Sequence, residues 1–187
     1  MVAMSNSARI ALITGANRGI GRSTALALAR DGIDIIITYR SHADEAAAAV
    51  NEIASLGRNA VSLQLDTAAI DTFDAFVANV TDALQDTWGR ETFDLLINNA
   101  GTQIAKPFDA VSEDDFDRLV GVTFKGVFFV TQKLVGLVAD NGGSIINIST
   151  GLTRFYGPDH IDAVAGEREC GGAPDPAIGT GDECDTR

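Results

Sequence analysis

Thr14-Gly15-Ala16-Asn17-Arg18-Gly19-Ile20-Gly21 constrains the fold more than any other stretch of the chain. Before it runs Arg9-Ile10-Ala11-Leu12-Ile13, short and apolar, which suits a buried parallel strand. After it runs Arg22-Ser23-Thr24-Ala25-Leu26-Ala27-Leu28-Ala29-Arg30, rich in good helix formers. The glycines therefore sit where a strand ends and a helix begins. In an open α/β sheet, that is where a phosphate meets backbone N–H groups and the positive end of a helix dipole. A tight turn without a ligand does not need three glycines. Here Gly15 serves the turn, Gly19 lets backbone approach a pyrophosphate, and Gly21 lets helix pack closely on strand.

The rest of the chain repeats the alternation. Strands are predicted at Ile33–Tyr39, Ala60–Leu65, Phe93–Ile97 and Ser144–Ile148. Between them, helices are predicted at Asp44–Leu56, Ala69–Trp88 and Ser112 to about Val138. Ser112 and Asp115 form a loose capping box at the start of the last helix, whose apolar face takes Phe116, Leu119, Val120, Val127 and Val130. Strands separated by helices predict an α/β fold, a Rossmann-like doubly wound parallel sheet with five recognisable strands.

From Gly151 the composition changes. The last 37 residues hold three of the four prolines, seven of the nineteen glycines and both cysteines, with eight acids against three bases. No helical or strand period survives beyond about Gly166, and this part is predicted to be disordered. Cys170 and Cys184 make no disulfide framework, which fits a reducing cytoplasm. The formal charge of −12 argues against a nucleic-acid partner. No uninterrupted apolar run approaches the ~20 residues that span a bilayer, so no membrane partner is expected, and Met1–Asn6 does not resemble a signal peptide. Met4 is an alternative start, and no metal site is expected.

The glycine turn, Asn98-Asn99-Ala100-Gly101 after the fourth strand, and Gly143-Ser144-Ile145-Ile146-Asn147-Ile148-Ser149 on the fifth together resemble the short-chain dehydrogenase/reductase family over about residues 8–155. The resemblance implies hydride transfer between a nicotinamide cofactor and a small alcohol or carbonyl compound. It also implies that Gly15, Asn17, Arg18, Gly19, Ile20 and Gly21 hold the cofactor, with Asp66 and Thr67 along its adenine. Asn99, Ala100 and Gly101 would line the adenine-side ribose and the approach to the nicotinamide, and Asn98 would brace the central strands. An acid after the second strand would bind a ribose 2′-hydroxyl and repel a 2′-phosphate. That place reads Thr38-Tyr39-Arg40-Ser41, without an acid. Arg40, Ser41 and Arg18 therefore favour NADP over NAD.

The resemblance also implies a catalytic tyrosine, a lysine four residues later, a serine after the fifth strand and an asparagine in an Asn-x-x-Gly setting. A tyrosine starts near pKa ~10 and needs a nearby cation to favour its anion. This chain has Thr123-Phe124-Lys125-Gly126 where the asparagine belongs, and Ser149-Thr150 where the serine belongs, with Thr150 in the hydroxyl position. The only tyrosines are Tyr39 and Tyr156, and no lysine follows Lys133. Tyr156 and His160 echo the spacing, but Gly157-Pro158 is a poor helix interior. The expected organisation is a dinucleotide-binding domain over 1–155 and a non-homologous tail over 156–187, as a shifted frame or truncation would produce. The family's last strands are missing. The fifth strand is then a sheet edge, Phe128, Phe129 and Leu134 lose neighbours, and homo-oligomers or aggregates are expected.

Overall fold

The computed structural model describes residues 8–140 and 142–149. Five strands form one parallel sheet: β1 Ile10–Ile13, β2 Asp34–Tyr39, β3 Ala60–Gln64, β4 Leu95–Asn98 and β5 Ser144–Asn147. Their order across the sheet is β3-β2-β1-β4-β5. Leu12 pairs with Ile36 on one side and Leu96 on the other, and Ile97 pairs with Ile146. The chain winds outward to β3, then crosses back past β1 to β4. The switch point between β1 and β4 opens a crevice at the carboxyl ends of the strands. The helices are α1 Gly19–Arg30, α2 Ala43–Ser55, α3 Phe73–Trp88, α4 Glu113–Val120 and α5 Gly126–Leu134. This is the predicted doubly wound architecture.

Alternation along each strand divides the core in two. Ile10, Leu12, Ile36 and Leu96 face α3 and α5, against Phe73, Phe76, Val80, Leu84, Val130 and Leu134. Ala11, Ile13, Ile35, Ile37 and Ile97 face α1 and α2, against Ala25, Ala29, Ala46, Ala49 and Ile53. The alanines on that second face let the helices lie close to the sheet. Each fully buried isoleucine or leucine contributes about 1.5–3 kcal/mol.

Two acids, Asp34 buried and Asp94 half-buried, anchor the amino ends of the strands. Asp34, 2% exposed, accepts hydrogen bonds from Arg58 Nε at 2.8 Å, Asn59 N at 3.0 Å and Trp88 Nε1 at 2.8 Å. Asp94 accepts from Ile10 N at 2.7 Å and pairs with Arg90 at 3.1 Å.

The helix predicted from Ser112 to about Val138 runs without a break over Glu113–Leu137, but its pitch changes along the way. A π turn at Gly121–Lys125 separates α4 from α5, and a 3₁₀ turn at Val135–Leu137 ends it. A π turn inserts one extra residue and rotates the apolar stripe, so one periodicity cannot describe both halves. Val130 is buried, as predicted, and Leu119, Val120 and Val127 are half-buried, but Phe116 is 59% exposed because α4 buries no residue. The predicted capping box is present: Asp115 N donates to Ser112 Oγ at 3.2 Å, and Ser112 N donates to Asp115 Oδ2 at 3.0 Å. Lys106 and Ser112 hydrogen-bond to the Asp115 carboxylate and lower its pKa from 3.8 to about 2.

The side chains expected to lose neighbours behave differently from one another. Phe128 is exposed and Phe129 half-buried, but Leu134 is fully buried among residues that include Leu84, Phe93 and Val130. The neighbours it needs lie within this chain. β5 is the last strand on its side of the described sheet, with Ile145, Ile146 and Ile148 exposed. Within the helical stretch Glu113–Leu137, an 18-residue window with a mean hydropathy of 1.3 is, by length and composition alone, apolar enough to cross a membrane. No uninterrupted apolar run marks it in the sequence, because charged residues punctuate it. In the fold its stripe of Val122, Gly126, Val130 and Leu134 is buried inside the protein.

His42 is the one described non-glycine residue at positive φ, at 64°. It occupies the N-cap position of α2 without a side-chain capping bond. A left-handed conformation costs a β-carbon-bearing residue about 1–2 kcal/mol. His42→Gly is expected to raise stability by about 0.5–1 kcal/mol, partly offset by the entropy of the unfolded glycine chain. A urea midpoint that falls instead would mean the imidazole makes a stabilising contact.

Candidate functional site

The glycine turn hangs between the ends of three strands. Gly15 N donates to Thr38 Oγ1 at 3.2 Å, and Ala16 N to the Thr38 carbonyl at 2.9 Å. On the other side, Thr14 Oγ1 accepts from both Asn99 N and Ala100 N at 2.9 Å. Asn99 Nδ2 donates back to the carbonyls of Thr14 at 2.9 Å and Gly15 at 3.2 Å. Thr14 and Thr38 are buried, so these bonds are shielded from competing water.

The three glycines meet three different demands. Gly15 has φ +65°, and a β-carbon there would lie 3.0 Å from Ala100 Cα. Gly21 has no room: a β-carbon would lie 2.5 Å from Asn99 Nδ2 and 2.6 Å from the Gly15 carbonyl. Gly19 has φ +58°, and a β-carbon there would meet nothing within 4 Å. The turn is thus closed by protein at Gly15 and Gly21 and open at Gly19. α1 begins at this opening with no acid in its first turn and no side-chain cap. By contrast, α2, α3 and α4 all carry first-turn acids. Its free N–H groups and dipole favour an anion.

The other candidates sit at the same edge of the sheet. Arg18 and Ile20 are exposed at the turn, and Asn17 is buried with Nδ2 2.7 Å from Glu45 Oε2 on α2. Arg40 and Ser41 are exposed immediately after β2. Asp66 and Thr67 follow β3, where Asp66 Oδ1 accepts from Ala68 N at 2.9 Å and Thr67 is buried. Asn99, Ala100 and Gly101 follow β4. Asn98 Nδ2 forks to Thr131 Oγ1 at 2.9 Å and Asn147 Oδ1 at 2.8 Å, tying β4 to α5 and β5. Ser149 lies exposed just past β5. Thr123 Oγ1 donates to the Leu119 carbonyl at 2.6 Å, inside its own helix. Thr150, Tyr156, His160 and the predicted tail lie outside the described residues.

Sequence reasoning gave no role to Thr14, Thr38 or Glu45. Thr14 opens the motif, so its place beside Gly15 was a usable signal. Thr38 and Glu45 act on the turn from other elements, and nothing local marks them. An open cavity of about 740 Å³ lies at the opposite, amino end of the strands, lined partly by Arg9, Asp31, Arg58 and Trp88. Ligands of open α/β sheets bind at the carboxyl ends instead, which is where the candidate residues collect.

Comparison with known proteins agrees with this geometry. The family model for short chain dehydrogenases matches residues 9–161. The chain is 35% identical over 153 residues to the hydroxynaphthalene reductase-like protein Arp2 of Metarhizium acridum, covering 81% of this chain and 55% of that protein. It is 32% identical over 156 residues to the 3-oxoacyl-(acyl-carrier-protein) reductase FabG of Staphylococcus aureus, covering 83% and 61%. The angucycline C-6 ketoreductase LanV, solved with bound NADP, superposes with a TM-score of 0.78 at 34% identity, covering 83% of this chain and 61% of that one. The chain thus spans little more than half the length of the curated relatives it matches.

Proposed function

Because the chain belongs to the short-chain dehydrogenase/reductase family, we propose that its crevice takes NADP in preference to NAD, for hydride transfer between NADPH and a small alcohol/carbonyl pair. The observation that carries this reading is the open glycine turn, where positive-φ Gly19 and the uncapped, acid-free start of α1 form a cradle for a pyrophosphate. The donor set also fits a 2′-phosphate: Arg18, Arg40 and Ser41 offer two guanidinium groups and a hydroxyl. NADP in the related ketoreductase supports the same choice. When bound, the cofactor would supply the hydride. Asp66 and Thr67 would flank its adenine, and Asn99, Ala100 and Gly101 its ribose and nicotinamide approach. Ser149 and Thr150 are assigned to the substrate oxygen. We assign residues 1–155 to this dinucleotide-binding unit and 156–187 to a separate tail. A cytoplasmic location is part of the same proposal, supported by the sequence, whose only two cysteines, Cys170 and Cys184, do not read as a disulfide framework.

A second reading is favoured by one observation: these 187 residues contain no Tyr-x-x-x-Lys. Without that acid/base pair, the chain would bind the dinucleotide but not turn it over. Titration of NADPH and NADH, followed by nicotinamide fluorescence, tests both readings. Wild type is expected to bind NADPH more tightly, and Arg40→Ala to lose about tenfold or more of that affinity with little effect on NADH. An unchanged NADPH/NADH ratio would remove the phosphate assignment. Carbonyl turnover at ~1–10³ s⁻¹, abolished by Tyr156→Phe, would overturn the binding-only reading.

A further inference from the structure

We propose that Glu45 sets the nucleotide selectivity of this chain: its carboxylate, held against the glycine turn by Asn17, opposes a 2′-phosphate and keeps the preference for NADP small. The inference rests on the nucleotide site proposed above. Glu45 lies in the first turn of α2, four residues after Ser41, and reaches back to the turn, where its Oε2 is 2.7 Å from Asn17 Nδ2. Asn17 is 7% exposed and immediately precedes Arg18, so the carboxylate comes to the turn that carries one of the two proposed phosphate-binding arginines.

What distinguishes Glu45 is that its partner is neutral. Glu52 lies two turns further along α2 and is also bound across the seam to α1, but its partner is Arg22 at 2.7 Å. That pair cancels its own charge. Glu45 makes no ion pair among the described residues, so an amide fixes its position and leaves its negative charge intact. A carboxylate there acts against a dianionic 2′-phosphate far more than against the uncharged 2′-hydroxyl of NAD. Arg18 and Arg40 pull the selectivity toward NADP, and Glu45 pulls it back.

Glu45→Gln tests this directly, because the glutamine oxygen still accepts from Asn17 while the charge is gone. In full-length protein titrated with NADPH and NADH, the NADPH/NADH affinity ratio is expected to rise roughly tenfold at low salt. The gain should shrink at high ionic strength. Glu45→Ala also breaks the Asn17 bond, but it should show the same rise in ratio, since the ratio reports charge. An unchanged ratio in both variants, or an equal fall in both affinities, would make Glu45 a positioning residue and overturn the proposal. Arg40→Ala in the same titration separates the two levels. If it shifts the ratio and Glu45→Gln does not, only the role of Glu45 is wrong. If neither does, the phosphate site is wrong and this inference falls with it.

Discussion

Gly126→Ala is expected to destabilise the protein by about 3 kcal/mol or more, lowering Tm by roughly 6–12 °C. Gly126 is the first residue of α5, where the helix crosses the loop after β3. A β-carbon there would lie 2.1 Å from the Thr67 carbonyl oxygen, 2.8 Å from the Gly121 carbonyl and 2.9 Å from Thr67 C. All three contacts are backbone, so no side chain can rotate away, and α5 or the loop must shift. Either shift disturbs the cluster that holds Val130 and Leu134. Gly136→Ala is the internal control, since a β-carbon there meets nothing within 4 Å. It is expected to be nearly neutral. Equal stability of the two variants in urea would mean that α5 does not lie on Thr67.

Asp34→Ala should cost about 3–5 kcal/mol, the usual effect of removing one partner from a buried ion pair. The carboxylate is 2% exposed and anchors Arg58, Asn59 N and Trp88 Nε1 together. Its loss leaves the indole N–H and a backbone N–H without their acceptor and frees a guanidinium. The Arg58 side chain is 26% exposed and can turn partly to water, which favours the lower end of the range. Asp34 begins β2, and the candidate nucleotide site lies at the other end of the strands. Nucleotide affinity per folded molecule should therefore stay unchanged while the denaturation midpoint falls. A large loss of affinity with intact stability would contradict this separation of scaffold from site.

The residues that were legible in the sequence are those whose chemistry leaves a local trace. Gly15 and Gly19 need positive φ and Gly21 needs the absence of a β-carbon, so the turn announced itself before any tertiary contact was known. Isoleucine-rich β2 and the alanine faces of α1 and α2 did the same for the sheet. The capping box was readable because Ser112 and Asp115 are three residues apart. The π turn was not, because Gly121–Lys125 has the composition of the helix around it. The burial of Leu134 depends on α3 and β4, far away in sequence. The link between Asn17 and Glu45 spans two elements and leaves no periodic signal.

The cross-bonding of Thr14 with Asn99 and Ala100 has a mechanical consequence. Four hydrogen bonds join two loops some 85 residues apart in sequence, each loop supplying donors or acceptors from its backbone. The loops after β1 and β4 cannot hinge independently. A dinucleotide reaching from one to the other would meet a single stiff rim, and gripping either half would immobilise nothing that was not already fixed. The ordering entropy that weakens binding at a floppy site is largely absent at this edge. Any motion that admits or releases a ligand is then left to segments outside the rim.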